Sequence, residues 1–153
     1  MKSVLTIATL LVGSMAFADG FVCTSESGLN VKVFHHTQPE MGTRTAAIMV
    51  ISDSQVGGGN KTIAKFTDVK GTLSSSHLTY VGNVDLRFAD SRKKGELIGG
   101  TKLGQLDTIE LDVNFSYMNP LENGELTEAT LTLNKRNGDQ IIEAAQCVRY
   151  LKN

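Results

Sequence analysis

Two cysteines carry the most reactive side chains of this sequence, and they lie near its opposite ends. Cys23 and Cys147 are the only cysteines among 153 residues. Such a residue can be a lipid-modified anchor, a reactive thiol, a metal ligand or half of a disulfide bridge. Bulky Val22 precedes Cys23 where a lipidation site has small residues, and neither cysteine has a C-x-x-C or C-x-H neighbour. The pair therefore predicts one structural disulfide between Cys23 and Cys147.

The three histidines do not form a metal-binding or catalytic pattern. His35 and His36 are adjacent on a predicted strand, so their side chains point to opposite faces. Ser76 precedes His77, but adjacency in sequence is not the geometry in which a histidine activates a serine. The sequence has no G-x-S-x-G, phosphate-loop or zinc motif. We therefore predict that the protein is not an enzyme and has no catalytic, cofactor-binding or metal-binding residue.

Carboxylates on one predicted strand offer another route to acid–base chemistry. Glu110 and Asp112 share one face of "TIELDVNFSY", and Asp107 lies just before it. A pair of carboxylates transfers protons when its surroundings separate the two pKa values. Alternating acids on an exposed strand are also ordinary solubilising residues, and we adopt that interpretation. A hydrolase would require two acids that converge in a cleft.

These side chains are positioned by strands, because apolar residues recur at every second position along most of the chain. The alternation is clearest in three segments: Leu29, Val31 and Val33; Tyr80, Gly82, Val84, Leu86 and Phe88; and Ile109, Leu111, Val113, Phe115 and Tyr117. Such a pattern is typical of antiparallel strands with one exposed face. It predicts an all-β fold, a single antiparallel β-barrel or β-sandwich of about 8–9 strands that is largely a meander.

One hairpin is predicted together with its register. The Asn-Gly pair at residues 137–138 is the preferred sequence for a two-residue type I′ turn. Such a turn places Leu133 opposite Ile142 and Leu131 opposite Ala144, with all four apolar residues on one face.

The predicted bridge constrains the order of the strands. A disulfide requires that the two Cα atoms lie within about 7 Å. The first and last strands must then be close together, and in an up-and-down sheet this closes a barrel.

The beginning of the chain predicts export. Lys2, an apolar run at residues 4–13 and the A-x-A motif at residues 16–18 are typical of a signal peptide. We expect cleavage after residue 18, which leaves residues 19–153 as a single all-β domain in the periplasm or outside the cell. No later segment has 18 consecutive apolar residues, so we expect no transmembrane segment. Without Lys2, 14 basic and 16 acidic residues leave a charge of −2, which gives no reason to expect nucleic acid.

In outline the sequence resembles small exported bacterial inhibitors of C-type lysozyme. The shared features are an aromatic-x-Cys near the predicted mature start ("FVC", residues 21–23), an early hairpin and a cysteine near the end. The resemblance implies a small antiparallel barrel and a periplasmic enzyme inhibitor. The serine-glycine-aromatic-tyrosine motif of the family's inhibitory loops is not present here, so the resemblance assigns no functional residue.

These observations favour an exported, non-enzymatic binding or cell-envelope protein whose partner is an unknown macromolecule. One alternative is a carrier that holds a small apolar ligand inside the barrel. A carrier predicts a large apolar cavity, and an interior filled by side chains would contradict it. The candidates for such filling are Leu86, Phe88, Leu111, Phe115 and Leu133.

Overall fold

The computed structural model describes residues 19–35, 42–45, 48–53, 62–85, 96–97, 101–102 and 105–151. In these ranges the chain forms eleven strands: β1 (Asp19–Ser25), β2 (Leu29–His35), β3 (Gly42–Thr45), β4 (Ile48–Asp53), β5 (Thr62–Leu73), β6 (His77–Val84), β7 (Glu96–Leu97), β8 (Thr101–Lys102), β9 (Leu106–Asn114), β10 (Leu126–Lys135) and β11 (Gln140–Leu151). No helix in these ranges has the length and apolar character needed to cross a membrane. The predicted signal peptide, His36, Leu86 and Phe88 lie outside the described residues.

Nine of these strands belong to one antiparallel sheet. Its order is β3-β5-β4-β2-β1-β11-β10-β9-β6, with an additional pairing of β5 and β6, while β7 and β8 pair separately. Seven strands form a continuous curled half-barrel, in the order β2, β1, β11, β10, β9, β6 and β5. The prediction of an all-β antiparallel fold is therefore confirmed.

The prediction of a closed barrel or sandwich of eight to nine strands is corrected by this arrangement. The remaining strands of the sheet, β3 and β4, are only four and six residues long. They pair with different halves of β5, and the register shifts between Ile51 and Ser52. The fold is a curled half-barrel sheet of seven strands, to which β3 and β4 add short pairings, and it is not a closed barrel of eight to nine strands. The nine strands share one sheet, so they also do not form the two packed layers of a sandwich.

The disulfide joins the first and last strands, as predicted. In the β1–β11 register Cys23 lies directly opposite Cys147, and their sulfur atoms are 2.00 Å apart. Both cysteines are fully buried. The bridge therefore ties two neighbouring strands together across 124 positions of sequence.

The concave face of the sheet carries the apolar core. The predicted alternation is confirmed in β2, β6 and β9, where each second residue is buried. Tyr117 differs from the prediction, because β9 ends at Asn114 and the Tyr117 side chain is 48% exposed. The largest fully buried side chains are Tyr80, Phe21, Leu29, Leu106, Ile109, Leu111, Leu131, Leu133, Val31 and Val33.

An irregularity in β5 breaks the alternation. The β5–β6 register shifts between Thr67 and Lys70, and Asp68 has a φ of 52°. This extra residue lets Phe66 and Val69 both face the core, although their separation is three positions.

The β10–β11 hairpin forms where predicted but with a different turn. Among its described turn residues only Gly138 has a positive φ, +93°, and its N–H donates to the carbonyl of Lys135 at 3.0 Å. This is a three-residue loop with a glycine bulge, whereas a type I′ turn needs two positive φ angles. One extra loop residue shifts the register by one position and exchanges the two faces of β11. Ile142 is consequently 63% exposed. The observed partners are Leu133–Ile141, Thr132–Ile142, Leu131–Glu143 and Thr130–Ala144.

Candidate functional site

An open groove of about 630 Å³ runs across the outer face of the sheet. We call it the acidic groove; the lining residues that matter here are Glu26, His77, Asp112, Glu128, Thr130 and Ala144. Ala144, Thr130 and Asp112 are register partners on β11, β10 and β9, so they form one row across three strands. The small side chains of Ala144 and Thr130 leave space that longer residues on this face would fill.

His77 and Asp112 form the polar pair at one end of the acidic groove. The Nδ1 atom of His77 lies 3.3 Å from Oδ1 of Asp112, and the two side chains are 50% and 37% exposed. Thr79 donates a hydrogen bond from Oγ1 to the same carboxylate oxygen at 3.0 Å. His77 is held at the start of β6 by Ser74, whose Oγ accepts from the His77 N–H at 3.1 Å. A carboxylate that contacts Nδ1 orients the ring, as in a base and its positioning residue.

Within the described part of the chain, the hydroxyl groups around this pair do not complete a nucleophilic relay. Thr79 donates to the carboxylate and not to the imidazole. Ser25 also lines the acidic groove, and its hydroxyl is bonded to Ser27 at 3.2 Å. Among the described residues, no set of three histidine, cysteine or acidic side chains is placed to hold a metal ion.

The electrostatic character of the groove is negative. Glu26, Asp112 and Glu128 contribute three carboxylates, and none of the described lining residues is a lysine or an arginine. Fixed charges of one sign in a groove attract groups of the opposite sign. The groove is therefore suited to a cationic group.

An apolar row lies beside the groove on the same face. It consists of Val22, Val148 and Leu126, which are register partners on β1, β11 and β10. Leu126 is 59% exposed and Val148 is 37% exposed. The next row of outward-facing residues lies two positions further along the strands. It ends at Glu128, which lines the acidic groove. The surface thus places exposed apolar side chains next to carboxylates.

Two aromatic rings extend the apolar row toward the beginning of β1. Phe34 and Tyr150 make an edge-to-face contact, with ring centroids 5.6 Å apart. Both are register partners of Gly20, which lies between them and has no side chain. A Cβ atom on residue 20 would clash with the backbone carbonyl oxygen of Val33 and would lie 2.8 Å from Cδ1 of Phe34, so this position requires glycine.

A second polar cluster is buried on the concave face. Nη2 of Arg149 donates to Oδ2 of Asp19 at 2.5 Å, and their side chains are each 3% exposed. The guanidinium carbon lies 4.8 Å from the ring centroid of Phe21 and 4.9 Å from that of Phe115. Arg149 is therefore held by one carboxylate and two aromatic faces, which are favourable contacts for a buried cation.

Burial dominates the acid–base properties of this cluster. It raises the pKa of Asp19 to about 6, although the nearby Arg149 cation acts in the opposite direction. Burial also lowers the pKa of Arg149, and the Asp19 carboxylate partly offsets that effect. The pKa of Tyr80 is raised far above its ordinary value by the same cause. The folded sheet thus binds the proton of Asp19 more tightly than an unfolded chain does.

The structure brings together only some of the residues that the sequence analysis identified as candidates. Cys23 and Cys147 are joined. Asp112 lines the acidic groove, whereas Glu110 and Asp107 are not among its described lining residues. The side chains of His35 and His36 lie outside the described part of the chain.

Sequence reasoning missed two features. Arg149 follows Cys147 by two positions on a strand, and this spacing could have placed it on the buried face. The acidic groove has no comparable signal, because it is built from five strands whose mutual register the sequence does not specify.

Comparison of the chain with protein-family models, with curated proteins and with solved structures finds no match.

Proposed function

We propose that this protein is an exported, non-enzymatic binding protein of the periplasm or the extracellular space, and that it binds a macromolecule on the outer face of its sheet. The observation that carries this proposal is the apolar row of Val22, Val148 and Leu126 beside the acidic groove. Exposed apolar side chains rimmed by charges are typical of interaction surfaces. Removal of residues 1–18 by a signal peptidase belongs to the same proposal.

The chemistry of the surface favours one kind of partner. Three carboxylates favour lysine or arginine side chains, and the apolar row favours aliphatic or aromatic ones. A polypeptide segment in which basic and apolar residues alternate presents both groups together. The negative groove gives no support to nucleic acid, which is itself negative.

The outer face is a better candidate than the interior. Leu111, Phe115 and Leu133 are buried in the concave core, where the carrier hypothesis requires an empty apolar cavity. This packing supports binding on the outer surface over transport of a small ligand inside the sheet.

A defined peptide tests the proposal. Residues 19–153 are titrated with a synthetic peptide of alternating lysine and leucine, and binding is measured by calorimetry. Ala144→Lys places a cation in the acidic groove and should weaken binding at least tenfold. Ile142→Lys adds the same charge two positions away on the same exposed face, and serves as the matched control. Equal affinity of the wild type and Ala144→Lys would exclude the groove as the binding site.

The same titration identifies the contribution of charge. We expect affinity to fall as salt is raised, because screening weakens attraction between exposed charges. A peptide of alternating glutamate and leucine should not bind. Binding of both peptides with equal affinity would indicate apolar association alone and would contradict the proposed role of the carboxylates.

A further inference from the structure

The buried cluster has polar atoms without partners. Among the described residues, Oδ1 of Asp19 and both Nε and Nη1 of Arg149 are buried and make no hydrogen bond. The two arginine nitrogens belong to a guanidinium group that lies near the faces of Phe21 and Phe115. The backbone N–H of Gly20 acts on the same carboxylate and lowers its pKa. Oδ1 itself makes no hydrogen bond, and an unpaired buried acceptor is costly.

Asp19 is also the residue at which the predicted mature chain begins. Cleavage after residue 18 converts the amide nitrogen of Asp19 into an ammonium group with three donors. One donor can serve the β-ladder, in which Asp19 lies between Leu151 and His35. The α-nitrogen and the side-chain carboxylate of one aspartate can approach to about 3 Å, the distance of a hydrogen bond.

We propose that cleavage between Ala18 and Asp19 completes this buried cluster, because the new α-ammonium group binds Oδ1 of Asp19 while Arg149 binds Oδ2. The hydrolysis consumes one water: the peptide bond breaks, the leader leaves with a carboxylate, and Asp19 keeps the ammonium. The carboxylate then lies between two cations, one from each end of the folded chain. The inference rests on the export that belongs to the proposed function.

The charges around this site determine the pH range of the effect. Arg149 on β11 and Tyr80 on β6 are the groups that act electrostatically on the cluster. A second cation beside Asp19 lowers its pKa from the raised value that burial produces, so the carboxylate stays ionised in the folded state. An α-ammonium group has an ordinary pKa of about 8 and is therefore charged at neutral pH. The stabilisation should be largest between about pH 6 and pH 8, where both groups are charged.

The test uses chains with defined first residues. Residues 19–153 are compared with the same chain carrying an Nα-acetyl group, and both are prepared again with Asp19→Asn. At pH 7 we expect acetylation to raise the unfolding equilibrium constant at least tenfold in the Asp19 chain and to change it little in the Asp19→Asn chain. At pH 3, where Asp19 is protonated, the difference between the two Asp19 chains should disappear.

Two results would overturn the inference. Equal effects of acetylation in the Asp19 and Asp19→Asn chains would show that the ammonium acts elsewhere. Mass spectrometry of the exported protein must also give Asp19 as the first residue, and any other start would refute the proposed cleavage. Neither measurement depends on the acidic groove, so failure of peptide binding and failure of this inference are distinguishable.

Discussion

Removal of the Cys23–Cys147 bridge should cost a large part of the stability of this fold. The bridge spans 124 positions, and on the chain-entropy model a loop of this length restricts the unfolded chain by about 5 kcal/mol at 25 °C. The total free energy of unfolding of a natural domain is only about 5 to 15 kcal/mol. For about 135 residues the entropy of unfolding is close to 0.28 kcal/mol/K, so Tm should fall by roughly 17 °C.

The measurement compares the oxidised protein with the double variant Cys23→Ala/Cys147→Ala in urea. Both sulfur atoms are fully buried, so alanine leaves a small apolar space and adds no unpaired hydroxyl group. The dependence of the unfolding free energy on urea should become steeper in the variant, because the unfolded chain expands further without the bridge. The reduced wild type is the matched control, since it lacks the bond but keeps both sulfur atoms.

A small loss would refute this reasoning. If the variant loses less than about 1 kcal/mol and its urea dependence is unchanged, the bridge does not restrict the unfolded chain in the way the entropy model requires. A large loss in the alanine variant with little loss in the reduced wild type would instead assign the stability to packing of the sulfur atoms.

Three further outcomes are expected. In an Nα-acetylated chain, which has no ammonium group beside Asp19, Arg149→Met should destabilise the fold by about 3–5 kcal/mol at pH 7, because it leaves the Asp19 carboxylate buried without a cation. The double variant Arg149→Met/Asp19→Leu of the same chain should recover most of the loss in urea melts, and equal losses in both would contradict this. An Nα-acetylated chain should lose up to about 3 kcal/mol of stability as pH rises from about 4 to 6. The reason is that the folded state keeps the Asp19 proton in this range, whereas the unfolded state, with an Asp19 pKa of 3.8, has released it. In thermal melts this dependence of stability on pH should be absent from Asp19→Asn, and a dependence that persists in that variant must have another source. Gly138→Ala should cost about 1–2 kcal/mol through backbone strain alone, since its φ is +93° and no atom lies near the added Cβ; Gly138→Asn should lose less, and equal stability of all three proteins would show that the turn changes its conformation.

The strands and the bridge could be predicted from the sequence because they depend on local patterns. Alternation in β2, β6 and β9 is a property of each strand alone, and it identified the buried residues there. Two cysteines allow only one intramolecular pairing, which fixed the neighbours β1 and β11.

Features that depend on a single extra residue could not be predicted in this way. The glycine bulge at Gly138 moved the β11 register by one position and exposed Ile142, although the turn was located correctly. The irregularity at Asp68 likewise shifts the register of β5 against β6. In both places the backbone conformation, and not the hydrophobic pattern, determines which residues face the core.

The candidate site was the least predictable part. Asp112 was identified as a carboxylate on an exposed face, but its contact with His77 depends on the register of β6 against β9. Asp19 and Arg149 lie 130 positions apart and meet only because β1 and β11 are neighbours.

The pairing of β1 with β11 also determines when the fold can be completed during synthesis. Synthesis proceeds from the N-terminus, so the first strand exists long before the strand that will cover its second edge. Until β11 appears, β1 can pair with β2 alone, and it presents an open edge and an unbridged thiol, two features that promote association with other chains. The chain therefore remains prone to association until β11, a strand of twelve residues, has been made and has paired with β1. A chain truncated before β11 would keep the open edge and the free thiol permanently.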